Sequence, residues 1–133
     1  MALKFLSDEW CAAAMEAINS NQAVYDGFQD PESFDHPMFL GLQDKDVTTY
    51  FTFKGGKLTE WSNTPSTGPV DFGLVSKVKY YREAAEGMSE AGKLLMGGQL
   101  KLVEGNVQLA IRNAEAFNHF LRTFGQIDTD WEV

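Results

Sequence analysis

The run Val47-Thr48-Thr49-Tyr50-Phe51-Thr52-Phe53, followed by Lys54-Gly55-Gly56-Lys57 and then Leu58 to Trp61, constrains the fold most. Its first seven residues are all β-branched or aromatic, the types that suit a pleated, half-buried surface. The paired glycines supply the positive φ that a tight hairpin turn demands. An antiparallel hairpin is expected here, and the rest of the chain has to pack around it.

The flanking segments extend this pattern. Phe34 to Leu42 reads as a preceding strand, and His36-Pro37 marks it as an edge or bulged strand, because proline donates no ladder hydrogen bond. Thr64-Pro65-Ser66-Thr67-Gly68-Pro69 reads as a loop. Val70 to Val78 reads as a fourth strand and Leu100 to Val103 as a fifth. Near the N-terminus, Ser7 is placed to cap a helix whose first turn holds Asp8 and Glu9, where negative charge suits the helix dipole. Trp10, Cys11, Ala14, Met15 and Ile18 then recur on one helical face. Asn19-Ser20-Asn21 ends that helix, and a short one, about 22–28, follows. Lys79 to Glu86 is expected to be helical and closed by Gly87. Ser89 is expected to cap a short helix running to Met96, which Gly97-Gly98 breaks. After Gly105-Asn106 the chain is expected to be helical, with Ala110, Ala114, Phe117, Leu121 and Phe124 on one face and Phe120 beside them. From Gly125 the tail leaves the helix. There is no βαβ alternation, internal repeat or linker. The order predicts one α+β domain over residues 1–133, a five-stranded, mostly antiparallel sheet with helices packed on one face.

Composition narrows the function classes. A chain of 133 residues that is 44% hydrophobic can bury a core without metal or disulfide staples. Its net charge of −8 argues against nucleic acid, whose phosphates need clustered Lys and Arg. It also argues against simple attraction to an anionic membrane. No apolar run approaches the roughly 20 residues that span a bilayer, so no stable membrane anchoring is expected. Cys11 is the only cysteine, which forbids an intrachain disulfide, and the start of the chain does not read as a signal peptide. A cytoplasmic location is expected from these features.

Enzyme signatures are weak. The two histidines, His36 and His119, have no nucleophile motif beside them, and no Gly-x-Ser-x-Gly elbow occurs. His36 with Asp30, Glu32 and Asp35 matches no zinc or calcium spacing, so neither a metal nor a cofactor is expected. The glycine pairs lack the Lys-Ser/Thr of a phosphate loop.

Several segments carry a resemblance. Gly98-Gln99-Leu100-Lys101-Leu102-Val103-Glu104-Gly105-Asn106 resembles the signature of the sterol carrier protein family, in which a Gly-x-Leu-Lys strand ends in Gly-Asn or Gly-Asp and feeds a helix. The opening Phe5-Leu6-Ser7-Asp8-Glu9-Trp10 and the closing Ile127-Asp128-Thr129-Asp130-Trp131 are similar to the stand-alone bacterial members. Val70-Asp71-Phe72 and Tyr81 to Gly87 follow in the same order. The resemblance runs from about Phe5 to Trp131. It implies a twisted five-stranded sheet with helices on one face, and an apolar tunnel between the sheet and the C-terminal helices. Such proteins bind sterols, fatty acids, fatty-acyl-CoAs or other lipids, and some present an apolar substrate to an enzyme.

Apolar pockets are lined by aliphatic and aromatic side chains with few polar groups. On this resemblance, the last helix offers Phe117, Phe120, Leu121 and Phe124 as lining. The short helix before the fifth strand offers Met88, Leu94, Leu95 and Met96. The sheet offers Phe51, Phe53, Trp61 and Phe72, with Leu100 and Leu102 from the fifth strand. Lys79 and Arg82, three apart on a helix, are placed to meet a carboxylate or phosphate head group. Any amphipathic helix carries such a stripe for its own core, so it is the resemblance that points to a cavity. The expectation is a lipid carrier or reservoir without catalytic activity. The alternatives are an accessory module that presents an apolar substrate to a partner enzyme, a homodimer, or an enzyme acting through His119.

Overall fold

The computed structural model describes residues 2–43, 45, 47–63 and 70–132. The loop expected over Thr64 to Pro69 lies outside the described residues. In chain order the elements are β1 (Leu3–Lys4), α1 (Asp8–Asn19), α2 (Gln22–Gly27), a 3-10 turn (Pro31–Ser33), β2 (His36–Leu42), β3 (Val47–Lys54), β4 (Lys57–Ser62), β5 (Phe72–Ser76), α3 (Val78–Ala85), α4 (Ala91–Met96), β6 (Lys101–Glu104), α5 (Val107–Arg112), α6 (Ala114–Thr123), a second 3-10 turn (Phe124–Gln126) and β7 (Thr129–Asp130).

The hairpin forms as the sequence requires. β3 and β4 pair antiparallel, and Gly55 and Gly56 both take positive φ, at 59° and 76°. The five-stranded sheet has the order β4-β3-β2-β5-β6, and all neighbours are antiparallel except β2 and β5. Alternation decides which face is covered. Met38 sits opposite Phe51 on one side and Phe72 on the other, Leu40 sits between Thr49 and Leu74, and all six are buried. The helices cover this face. The opposite face carries Phe39 and Tyr50, whose rings are 6.1 Å apart. The outer end of the Phe39 ring also lies against Gly73, where a side chain would collide with it.

Ser7 caps α1 as expected, its Oγ accepting from the Trp10 amide at 3.3 Å. Four features differ from expectation. β2 is the central strand, not an edge. Its proline is tolerated because Pro37 lies at the strand's start, before pairing with β5 begins at Met38. Helix α4 is not capped by Ser89, whose hydroxyl donates to Glu83 instead; Asn118 of α6 accepts from the Ala91 amide at 3.1 Å. The expected single C-terminal helix is broken at Asn113. The tail does not simply leave the helix, because β7 pairs in parallel with β1 and fastens the two ends of the fold together.

Candidate functional site

The interface between helices and sheet has two unlike halves. Over β3 and β4 it is filled by rings. Phe120 stacks on Phe51 at 5.3 Å and on Trp61 at 5.8 Å, and Phe124 meets Trp10 edge-on at 4.8 Å. Phe53 contacts Phe28 and Phe120 in the same mass. Leu121 is fully buried with them. Such aromatic pairs bury large areas and favour offset or edge-to-face geometry, so this half is solid core.

At the other end, over β5 and β6, the rings give way to a cleft. Its sheet wall is Met38, Phe72, Leu74, Leu100 and Leu102, and its helical wall is Ala91, Gly92, Leu95, Ala110, Ala114 and Phe117. The two walls differ in size: large side chains stand on the sheet, and four of the six helical residues are Gly or Ala. Gly92 of α4 faces Ala114, and a β-carbon built at Gly92 would lie 3.8 Å from the Ala114 methyl. No polar atom lines the cleft. Among the described residues every buried side-chain nitrogen and oxygen already has a hydrogen-bond partner. The free space is about 20 Å³, room for roughly one water. Pockets that hold small molecules usually reach about 300–1,000 Å³.

The side chains named from the sequence therefore divide. Phe72, Leu95, Leu100, Leu102 and Phe117 line the cleft. Phe51, Phe53, Trp61, Phe120, Leu121 and Phe124 are packed in the ring-filled core. Leu94 is buried, one residue before Leu95 on the face of α4 that meets the core. Met88 and Met96 correct the expectation: they are 71% and 86% exposed, because they lie beyond the two ends of the buried face of α4. Lys79 and Arg82 are not at the cleft. They belong to α3, no residue of which lines it; Lys79 lies over the Tyr80 ring at 4.9 Å and Arg82 pairs with Glu86 at 3.4 Å.

Six cleft residues were not named as lining from the sequence: Met38, Leu74, Ala91, Gly92, Ala110 and Ala114. The small ones had a readable signal. Ala110 and Ala114 are four apart, and Ala91-Gly92 opens a short helix, so both mark places where helices leave room.

The titratable groups lie apart from the cleft. His36 Nδ1 is 2.7 Å from Asp71 Oδ2, and its ring packs edge-on against Phe34 and Phe72. His119 is half-buried in a shallow groove with Glu86, Arg122 and Gln126. Among the described residues no group of His, Cys, Asp and Glu is placed to hold a metal ion. Cys11 is buried beside Thr49, and burial pushes its thiol from 9.0 to about 11. No described helix is long and apolar enough to cross a membrane.

No protein-family model and no curated protein matches the sequence. Solved structures do match. A crystal structure of sterol carrier protein 2 superposes with a TM-score of 0.80 at 16% identity, over 93% of this chain and 99% of that one. A conserved hypothetical protein of Thermus thermophilus, described as possibly a sterol carrier protein, gives 0.78 at 17% identity, over 97% and 93%. The ubiquinone synthesis protein UbiJ gives 0.57 at 10% identity, over 84% and 90%. The chain has the sterol carrier protein 2 fold.

Proposed function

We propose that the cleft receives the hydrocarbon part of a lipid, such as a fatty acid, fatty-acyl-CoA or sterol-like compound, and that the chain acts as one lipid-binding carrier or reservoir with no chemistry of its own. One observation supports the reading: eleven residues, none with a polar side chain, converge between the sheet and the helices at the end that the aromatic core leaves unfilled. The sterol carrier protein 2 fold supports it. A wall without donors or acceptors suits a chain that enters tail first and keeps its polar group outside, because a buried unpaired polar group costs about 1–3 kcal/mol.

The narrowness of the cleft dictates how it fills. A chain enters only if α4 and α5 move away from β6. Each is six residues long, and helices this short depend on docking for their order. The small residues on their inner sides give up little packing when they part.

A second reading has one observation in its favour, the match to a ubiquinone synthesis protein. On that reading the chain holds an apolar substrate for a separate enzyme. Both readings need an occupied cleft.

The test is titration of a fluorescent fatty acid, with native mass spectrometry of the purified protein alongside. One bound chain per protein is expected, and Ala110→Phe, which fills the cleft from α5, is expected to abolish it. A protein that carries no lipid and takes up neither fatty acid nor sterol loses the carrier function.

A further inference from the structure

Phe117 stands at the boundary between the cleft and the filled core. It ends the helical wall of the cleft, after Ala110 and Ala114, where the side chains change from small to large. Its other sides meet rings. Phe28, Phe34 and Phe72 lie across it at 88°, 68° and 66°, with centroids 6.3, 6.1 and 6.1 Å away. Behind it Phe28 and Phe34 stack at 4.1 Å, and Phe53 packs against the two at 5.3 and 5.5 Å. All three are buried. Farther along the chain, Phe120, Leu121 and Phe124 belong to the ring-filled half.

This ring is held from the side away from the cleft. Helix α6 approaches α2 so closely that a β-carbon at Gly27 would come within 2.7 Å of the Ala116 backbone. The residue before Phe117 is thereby seated on a helix that contributes nothing to the cleft. When α4 and α5 part from β6, Phe117 stays in place. The cleft thus has a movable wall of small residues and a fixed inner end. The sheet wall gives the distance to that end. It runs across three neighbouring strands, from Leu102 on β6 through Leu74 on β5 to Met38 on β2, and Met38 is paired with Phe72, which Phe117 contacts. Three strands span about 10 Å.

We propose that Phe117 is a stop that sets the length of chain the cleft accepts, and that the ligand is a linear acyl chain selected by that length, not a sterol. The inference rests on the lipid-binding reading above. An unbranched chain is thin and flexible, so it enters a slot that opens by a small parting of the helices. A sterol's fused rings are rigid, need width along their whole length at once, and cannot bend past the ring of Phe117. Each methylene buried between the walls adds to binding until the end of the chain meets Phe117. Methylenes beyond that number remain at the mouth, in water, and add nothing. Rings that fill the core on the far side of Phe117 leave the chain no way past it.

Displacement of a fluorescent fatty acid by octanoate, decanoate, laurate, myristate, palmitate and stearate, all below micelle-forming concentration, tests this, with cholesterol as the sterol probe. In the unaltered protein each added methylene is expected to tighten binding about fourfold, and the rise is expected to level off by myristate. Phe117→Leu is expected to carry the rise on to longer chains. Phe117→Ala is expected to carry it further, raising the affinity for stearate relative to laurate by about tenfold. Phe120→Leu, which trims a ring of the filled core on the same helix, is expected to leave the break where it is. A rise that continues unbroken to stearate in the unaltered protein overturns the stop, whatever the variants do. So does a break that both Phe117 variants leave in place, or that Phe120→Leu moves equally. Cholesterol that displaces the probe as well as palmitate does overturns the assignment to linear chains. Binding of none of these ligands refutes the lipid-binding reading itself, and the stop with it.

Discussion

The hydroxyl of Tyr81, on α3, donates to the carbonyl of Gly41, near the end of β2, at 2.9 Å. This bond ties a helix to the middle strand through a side chain that is 1% exposed. Burial holds the phenol far above its ordinary acidity range, so it stays a neutral donor. Tyr81→Phe keeps the ring against Phe5 and removes only the donor. The expected loss is about 1–2 kcal/mol, read from urea unfolding at neutral pH. Fatty-acid uptake is expected to be unchanged, because α3 lies off the cleft; impaired uptake would place Tyr81 in the binding path after all.

Alkaline pH acts on a second buried group. The Cys11 thiol is shifted from 9.0 to about 11, chiefly by burial, with Asp8 adding to the rise and the hydrogen bond from Thr49 opposing it. The folded protein therefore keeps the proton more tightly than the unfolded chain does. The resulting stability is complete below pH 9 and is lost as pH rises toward 11. The melting temperature is expected to fall over that interval, and Cys11→Ala is expected to flatten the fall. A slope unaffected by the substitution would assign the effect to Tyr81 or to surface groups. Native Cys11 is also expected to react with thiol reagents far more slowly than in the unfolded chain.

The parts of the fold written in local pattern were legible. The β-branched and aromatic run from Val47 to Phe53 and the glycine pair identify the hairpin, and Ser7 with Asp8 and Glu9 identifies the start of α1. What was not legible depends on partners distant in sequence. Nothing local to Pro37 says that its strand is central, since that follows from where β5 begins to pair. Nothing local to Asn113 says that a helix breaks there, since its side chain answers to Gln29, far back in the chain. The site divides in the same way. Hydrophobicity picked out both the rings that fill the core and the residues that line the cleft, because the two look alike in sequence. Size separates them: the cleft lies where Gly and Ala face Leu and Phe.

Gly92 tests that distinction. A β-carbon there would meet only the Ala114 methyl, at 3.8 Å, which is ordinary contact. Gly92→Ala removes a helix-destabilising residue and is expected to raise stability by about 0.5–1 kcal/mol. The same methyl narrows a cleft that has about 20 Å³ to spare. Fatty-acid affinity is therefore expected to fall as stability rises, with calorimetry and fluorescence titration reading the two effects on one sample. A variant that gains stability and binds equally well would show that chains enter elsewhere.

Asn113 tests the mobility that entry requires. Its side chain is 2% exposed and is shared between two elements. Oδ1 accepts from the Gln29 amide at 2.9 Å, and Nδ2 donates to the Leu109 carbonyl at 2.9 Å. The bonds fix the end of α5 against α6 and against the chain after α2. Asn106, at the other end of α5, is exposed and accepts from the amides of Gln108 and Leu109 as an N-cap. Asn106→Ala is expected to cost about 1 kcal/mol, the usual loss of a cap. Asn113→Ala removes both bonds together with the packing of a buried side chain and is expected to cost about 2–3 kcal/mol. Hydrogen exchange is expected to show the amides of α5 opening before those of α6 in this variant, with faster entry of a fatty acid into the cleft. If Asn113→Ala costs no more than Asn106→Ala and α5 exchanges as before, Asn113 is not the fastening that holds the cleft shut.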